Sequence, residues 1–101
     1  MDRRLKLHQI LKNILDSNNV YFQPPASIKL SYPCIVYERS SIQQIKADNR
    51  DYLRRVRYTV TLIGADPESS YINDILDLPL CSYDRFFTSD GLNHDVFSIF
   101  Y

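Results

Sequence analysis

The stretch PCIVYERSSIQQIKADNRDYLRRVRYTVTLIGADP, from Pro33 to Pro67, decides the fold, because it holds the two clearest strand patterns in the chain and the loop between them. In its second arm Val56, Tyr58, Val60 and Leu62 alternate with Arg55, Arg57, Thr59 and Thr61, the period of two expected of a strand with one buried and one wet face. The first arm, Cys34 to Arg39, starts apolar and β-branched and ends charged. Between the arms, Lys46-Ala47-Asp48-Asn49-Arg50-Asp51 is polar and turn-forming. The reading is a long antiparallel hairpin whose tip projects past the domain body. That tip is the expected contact surface.

Around this hairpin there is room for one domain. A chain of 101 residues can bury about 65% of its unfolded surface, enough for a single core. Its composition, 45% hydrophobic and 24% charged with eight Tyr and five Phe, is that of a globular chain. Basic and acidic residues are equal in number, so no global field gathers a polyanion, and a dedicated duplex-DNA binder is not expected. The segment MDRRLKLHQILKNIL interrupts its apolar positions with Lys6, His8, Gln9 and Lys12, unlike the apolar centre of a signal peptide. No window has about 18 consecutive apolar residues, so no membrane contact is expected. Cys34 and Cys81 lie far apart without a CxxC partner, and read as reduced, buried thiols.

Upstream, Leu7, Ile10, Leu11, Ile14 and Leu15 recur at helical spacing between Asp2 and Ser17, with His8 on the side away from the stripe. Ser17-Asn18-Asn19 closes this helix, and Val20 to Gln23 forms a short extended piece before Pro24-Pro25. Downstream, Asp66 is a good N-cap and Pro67 suits a first helical position, predicting a helix from Pro67 to Leu78 that buries Tyr71, Ile72, Ile75 and Leu76. Cys81 to Thr88 and Asn93 to Tyr101 form a second hairpin around Asp90-Gly91, since glycine accepts a positive φ at no steric cost. Val96, Ser98 and Phe100 face one way in its last strand, and Phe97, Ile99 and Tyr101 the other. Such a strand is either central or covered on its outer side by another subunit. Tyr83, Phe86, Phe87, Phe97, Phe100 and Tyr101 are read mainly as core. The fold class is α+β: an antiparallel sheet of four to five strands with two helices packed on one face, in the order α-β-β-α-β-β.

Reactive chemistry finds little to work with. His94-Asp95 would suit a metal-dependent hydrolase only if further ligands converged on the ion, and the other histidine is His8; the plainer reading is a polar edge of the last hairpin. Ser89, Asp90 and His94 crowd one turn, which does not give triad geometry. Cys34 lies in an apolar strand, where a thiol is inert. Two glycines make no phosphate-cradling loop. Arg54, Arg55 and Arg57 are the one basic cluster, read either as phosphate contacts or as a wet strand face paired with Glu38, Asp48 or Asp51. If they meet DNA, a weak and transient contact fits the balanced charge. No enzyme activity, cofactor or metal is expected.

One resemblance spans nearly the whole chain. After the amphipathic helix come Val20-Tyr21-Phe22-Gln23-Pro24-Pro25, then Tyr32-Pro33-Cys34-Ile35-Val36-Tyr37 and the Ala47-Asp48-Asn49 loop. The strand Arg57-Tyr58-Thr59-Val60-Thr61-Leu62-Ile63 enters Asp66-Pro67-Glu68-Ser69, and Asp90-Gly91-Leu92-Asn93-His94-Asp95-Val96-Phe97 closes the series. In order and spacing these segments resemble the tail terminator, or tail completion, proteins of siphovirus-type bacteriophages, which have long non-contractile tails. The resemblance implies a virion structural protein at the neck or upper tail, assembled in the host cytoplasm. It would form a homo-oligomeric ring, usually sixfold, that sits on the tail tube, stops polymerisation and presents a head-tail joining surface to the connector protein. Alternatives are another neck ring, such as a head completion or stopper protein, or a small hydrolase using His94 and Asp95. The family offers no positional signature for single residues. The candidate interface with a neighbouring subunit or the tail tube is therefore read from the hairpin itself: Lys46, Asp48, Asn49, Arg50, Asp51, Arg54, Arg55 and Arg57.

Overall fold

The structure, a computed structural model, describes residues 2–47 and 50–101; for Asp2, Gln43, residues 45–47 and residues 50–54 it is the backbone that is described. Helix α1 (Asp2–Leu15) is followed by strands β1 (Val20–Phe22), β2 (Cys34–Ala47) and β3 (Arg50–Gly64), helix α2 (Tyr71–Leu76), and strands β4 (Cys81–Ser89) and β5 (Leu92–Phe100). The strands make one five-stranded sheet in the order β1-β2-β3-β5-β4. The expected α+β class, with two helices on one sheet, is what forms. One detail differs: β1 pairs with β2 in parallel, so the sheet is mixed and an extra strand precedes the central hairpin. Only three residues take part, too few to show a strand period in sequence.

Helix α1 buries Leu7, Leu11 and Leu15 completely or nearly so. It ends one residue before a left-handed Asp16, with the Ser17 amide bonded back to the Lys12 carbonyl at 3.3 Å, the six-to-one closure of a Schellman motif. Helix α2 starts later than its sequence suggests. The Asp66 side chain accepts the Glu68 amide at 2.9 Å and Ser69 Oγ accepts the Tyr71 amide at 3.2 Å. These local side-chain bonds hold 67–70 in turns, because such residues offer the backbone an alternative to the helix ladder. Six helical residues remain, anchored by the buried Ile75.

Both helices cover the same face. Register places Ile35 and Tyr37 of β2, Tyr58, Val60 and Leu62 of β3, and Asp95, Phe97 and Ile99 of β5 on one side. The apolar members of that set form one buried cluster with Leu7, Leu11, Leu15, Val20 and Ile75. The opposite face carries Val36, Thr59, Thr61, Val96 and Ser98, small or β-branched residues in facing positions.

The central hairpin is longer than its loop composition suggests. β2 and β3 stay paired from Cys34↔Ile63 out to Ala47↔Arg50, with register shifts at Ser40 and beyond Ile45. β1 covers β2 only from Ile35 to Tyr37, and β5 covers β3 only from Arg57 to Gly64. Beyond those limits the hairpin is a bare two-stranded ribbon. It gives the molecule its long axis, 51 Å against 26 and 23 Å. Among the described residues no helix is long and apolar enough to cross a membrane.

Candidate functional site

The expected contact residues divide. Asp48 and Asn49, at the tip, lie outside the described residues. Lys46 pairs with Asp51, Arg50 with Ala47 and Arg54 with Gln44 along the ribbon backbone. Arg55 and Arg57, two positions apart on β3, share the helix-free face. Arg57 Nε donates to Ser98 Oγ on β5 at 2.6 Å; of the carboxylates suggested as its partners, Asp48 and the Asp51 side chain lie outside what the structure describes.

At the ribbon's base, on the helix-covered face, the fold assembles a cleft that the sequence does not announce. Arg3 and Arg4 from the start of α1, Phe22 from β1, Arg39 from β2, Val56 and Tyr58 from β3, and Tyr101 line a volume of about 500 Å³. Arg3 Nε donates to the Tyr101 carbonyl at 3.1 Å, and its guanidinium lies 5.5 Å from that ring's centroid. The Arg4 guanidinium stands 4.4 Å from the centre of the Phe22 ring, close enough for a cation–π contact. Arg39 is exposed, its main-chain amide held by the Gln23 side chain at 3.2 Å. Among the described lining residues there are three guanidinium groups and no aspartate or glutamate. The one ion pair among described residues lies elsewhere, Arg85 to Asp84 at 3.9 Å. An aromatic floor with guanidinium groups that meet no carboxylate side chain among the described residues can receive a carboxylate-bearing or phosphate-bearing surface.

Beneath the cleft a short relay fixes the rim. Arg4 donates to the Tyr37 hydroxyl oxygen at 3.2 Å, and the same hydroxyl lies 2.7 Å from His8 Nδ1. Arg4 can only donate, and the direction of the Tyr37–His8 bond depends on the imidazole tautomer: with Nδ1 unprotonated, the Tyr37 hydroxyl donates to it. Burial, and then the charges of Arg4 and Lys12, lower the His8 pKa and favour the neutral form. Burial pushes the Tyr37 phenol up, so it keeps its proton. His8 is thus not on an exposed helix side: it is half-buried and packs on Tyr37 at 5.6 Å between ring centroids.

A second cleft, about 360 Å³, lies at the other end of the sheet between β3, the 65–70 turns and β5. Asp66, Ser69, Ser70, Asn93 and Asp95 line it together with Leu62 and Tyr71. Asp95 is buried and accepts a 2.8 Å hydrogen bond from the Tyr83 hydroxyl. His94, its neighbour on β5, points to the opposite face, where its ring stacks on Phe87 at 4.6 Å. Successive strand residues face opposite ways, so the two cannot share a substrate or an ion. Neither is a polar hairpin edge: β5 is interior to the sheet, and Asp95 is among its buried residues. Among the described residues no group of three or more His, Cys, Asp or Glu could hold a metal ion. Cys34 and Cys81 are free thiols; burial pushes Cys34 up to about 11, where it is a poor nucleophile.

The aromatic residues of the last hairpin also separate. Phe97 is fully buried, but Tyr83, Phe86 and Phe87 on the edge strand β4 are 42%, 48% and 39% exposed, a correction to their reading as core. Sequence reasoning missed the arginine cleft because its members come from both ends of the chain and from three strands. One signal could have found it. Residues 1–57 hold eleven basic against five acidic side chains, whereas residues 58–101 hold seven acidic ones and Arg85 as their single base. The zero net charge conceals this segregation. Comparison with models of known protein families, with curated proteins and with solved structures finds no match.

Proposed function

We propose that this chain is a virion structural protein of a siphovirus-type phage: a tail terminator whose copies close into a ring on the tail tube. The ring stops tube polymerisation and offers the joining surface for the head connector. Its partners are itself, the tail tube protein and the connector protein, with DNA passing through its opening; its place is the neck or upper tail of the particle. It works by surface complementarity and has no catalytic step.

The observation that carries the reading is the bare ribbon beyond Arg57. A two-stranded hairpin is marginal in water on its own, and most chains cover or shorten such an element. Here it extends from a small domain in line with β3, with Ile42 half-exposed on it. An element of this kind suits packing against another molecule. A ring needs two different, mutually complementary surfaces on each copy, and a subunit with unlike ends can supply them.

Particles assembled without the chain provide the test. The expected outcome is tails of irregular, excessive length that fail to join heads. Charge reversal at Asp48, Arg50 and Asp51 should give a milder form of the same defect. Tails of uniform length, joined normally to heads in the absence of the chain, overturn the reading.

A further inference from the structure

The two clefts lie at opposite ends of the part of β3 that β5 covers. Arg57, at the ribbon's base, pairs with Phe100; Gly64, beside the second cleft, pairs with Asn93. Every charged residue in the stretches 64–70 and 86–95 is acidic: Asp66, Glu68 and Asp90 are exposed, and Asp95 is buried against Tyr83. Asp66 and Glu68 are in the turns after β3, and Asp90 is in the β4–β5 turn, which closes at Ser89↔Leu92 beside that same end. The molecule is therefore an elongated body with a guanidinium-lined aromatic cleft and ribbon at one pole and an acidic surface at the other.

We propose that copies of this chain associate head to tail, the acidic pole formed by the 65–70 turns and the Asp90-Gly91 turn of one copy seating on the cleft of Arg3, Arg4, Arg39, Phe22 and Tyr101 of the next. Charge complementarity selects the second copy as occupant, because the exposed Asp66, Glu68 and Asp90 sit at the pole remote from Arg3, Arg4 and Arg39. The contact is heterologous: each copy uses a different surface toward each neighbour, and such contacts close into rings or run on as filaments. The inference deepens the ring reading above and rests on it only in requiring self-association. Opposed charges of this kind act through desolvated guanidinium–carboxylate pairs and lose strength as salt rises.

Two variants of the full-length chain test it, with mass followed by sedimentation or light scattering at increasing salt. The cleft variant is Arg3→Glu with Arg39→Glu, both at exposed positions outside the core; the pole variant is Glu68→Lys, Ser89→Lys and Asp90→Asn, which keeps a residue that tolerates positive φ at 90. Each alone should weaken association by about tenfold or more, as like charges then face each other. Mixing the two in equal amounts should restore it, since every contact in an alternating assembly again joins opposite charges. A variant that had merely misfolded would not be rescued by mixing, so rescue separates the two cases. Full association of both single variants, or loss without rescue on mixing, overturns the inference while leaving the tail-length test untouched. Rescue in solution, combined with tails whose length does not depend on the chain, would keep the inference and end the terminator reading. A wild-type chain that stays monomeric even with tail tube protein present would end both.

Discussion

Strands β4 and β5 are the two arms of one hairpin, nine residues each and both rich in aromatics, yet their fates are opposite. β5 lies between β3 and β4, and its residues from Asp95 to Ile99 are all buried. β4 is the sheet's edge, and all its residues but Cys81 are exposed. Burial of an aromatic strand is set by its place in the sheet order, which composition does not encode. The difference also marks where binding surface can be: Tyr83, Phe86 and Phe87 are available because β4 has a neighbour on one side only.

The sharpest way to break this contrast is to truncate one ring on each arm. Phe97→Ala removes a fully buried ring that meets Tyr83 edge-on at 5.4 Å, and should cost about 3–5 kcal/mol of unfolding free energy. Phe86→Ala, in the neighbouring strand, should change stability by no more than about 0.5 kcal/mol. Urea unfolding of both variants measures the gap. Similar losses for the two would mean that β4 is as much a part of the core as β5.

Next in size is Tyr37→Phe. The ring stays in the core, but Arg4 and His8 lose the hydroxyl that joins them, for a cost of about 1–2 kcal/mol. The same change frees the rim of the arginine cleft, so it should also weaken self-association; the matched test is Tyr83→Phe, which removes the hydroxyl bonded to Asp95 at the other pole. Gly91→Ala follows at about 1 kcal/mol, because Gly91 holds φ +74 and the turn needs positive φ at both Asp90 and residue 91. Thermal unfolding measures it: the glycine change should lower the midpoint by a few degrees.

How much of this was legible follows the range of the interactions. The alternation from Val56 to Leu62 and the Asp90-Gly91 turn are local signals, and both elements formed where they were expected. The helix stripe of Leu7, Leu11 and Leu15 did likewise. Helix α2 starts at Tyr71 and not at Pro67 because Asp66 and Ser69 hold the intervening residues in turns with their side chains, a competition whose winner depends on packing. The parallel pairing of β1, the edge position of β4 and the meeting of Arg3, Arg4 and Arg39 are settled by contacts distant in sequence. The charges of the hairpin tip mark it as a contact surface in sequence, and its side chains lie outside the described residues; the cationic cleft at the ribbon's base is a further surface that only the fold brings together.

The smallest effect concerns His8, and it tests the relay beneath the arginine cleft by pH. Its folded-state pKa lies below the ordinary 6.5, through burial and the nearby Arg4 and Lys12 charges. The unfolded chain then binds more protons than the folded one in the window below 6.5, so stability is full above that pH and is lost as pH falls through the folded pKa. Protonation makes Nδ1 a donor to the Tyr37 hydroxyl oxygen and adds a third positive charge next to Arg4 and Lys12. The thermal midpoint of the wild-type chain should therefore decline modestly between pH 7 and 5, and His8→Gln should flatten that decline. If the His8 change leaves the slope in place, the proton is taken up elsewhere, and the Arg4–Tyr37–His8 relay does not govern the fold's response to acid.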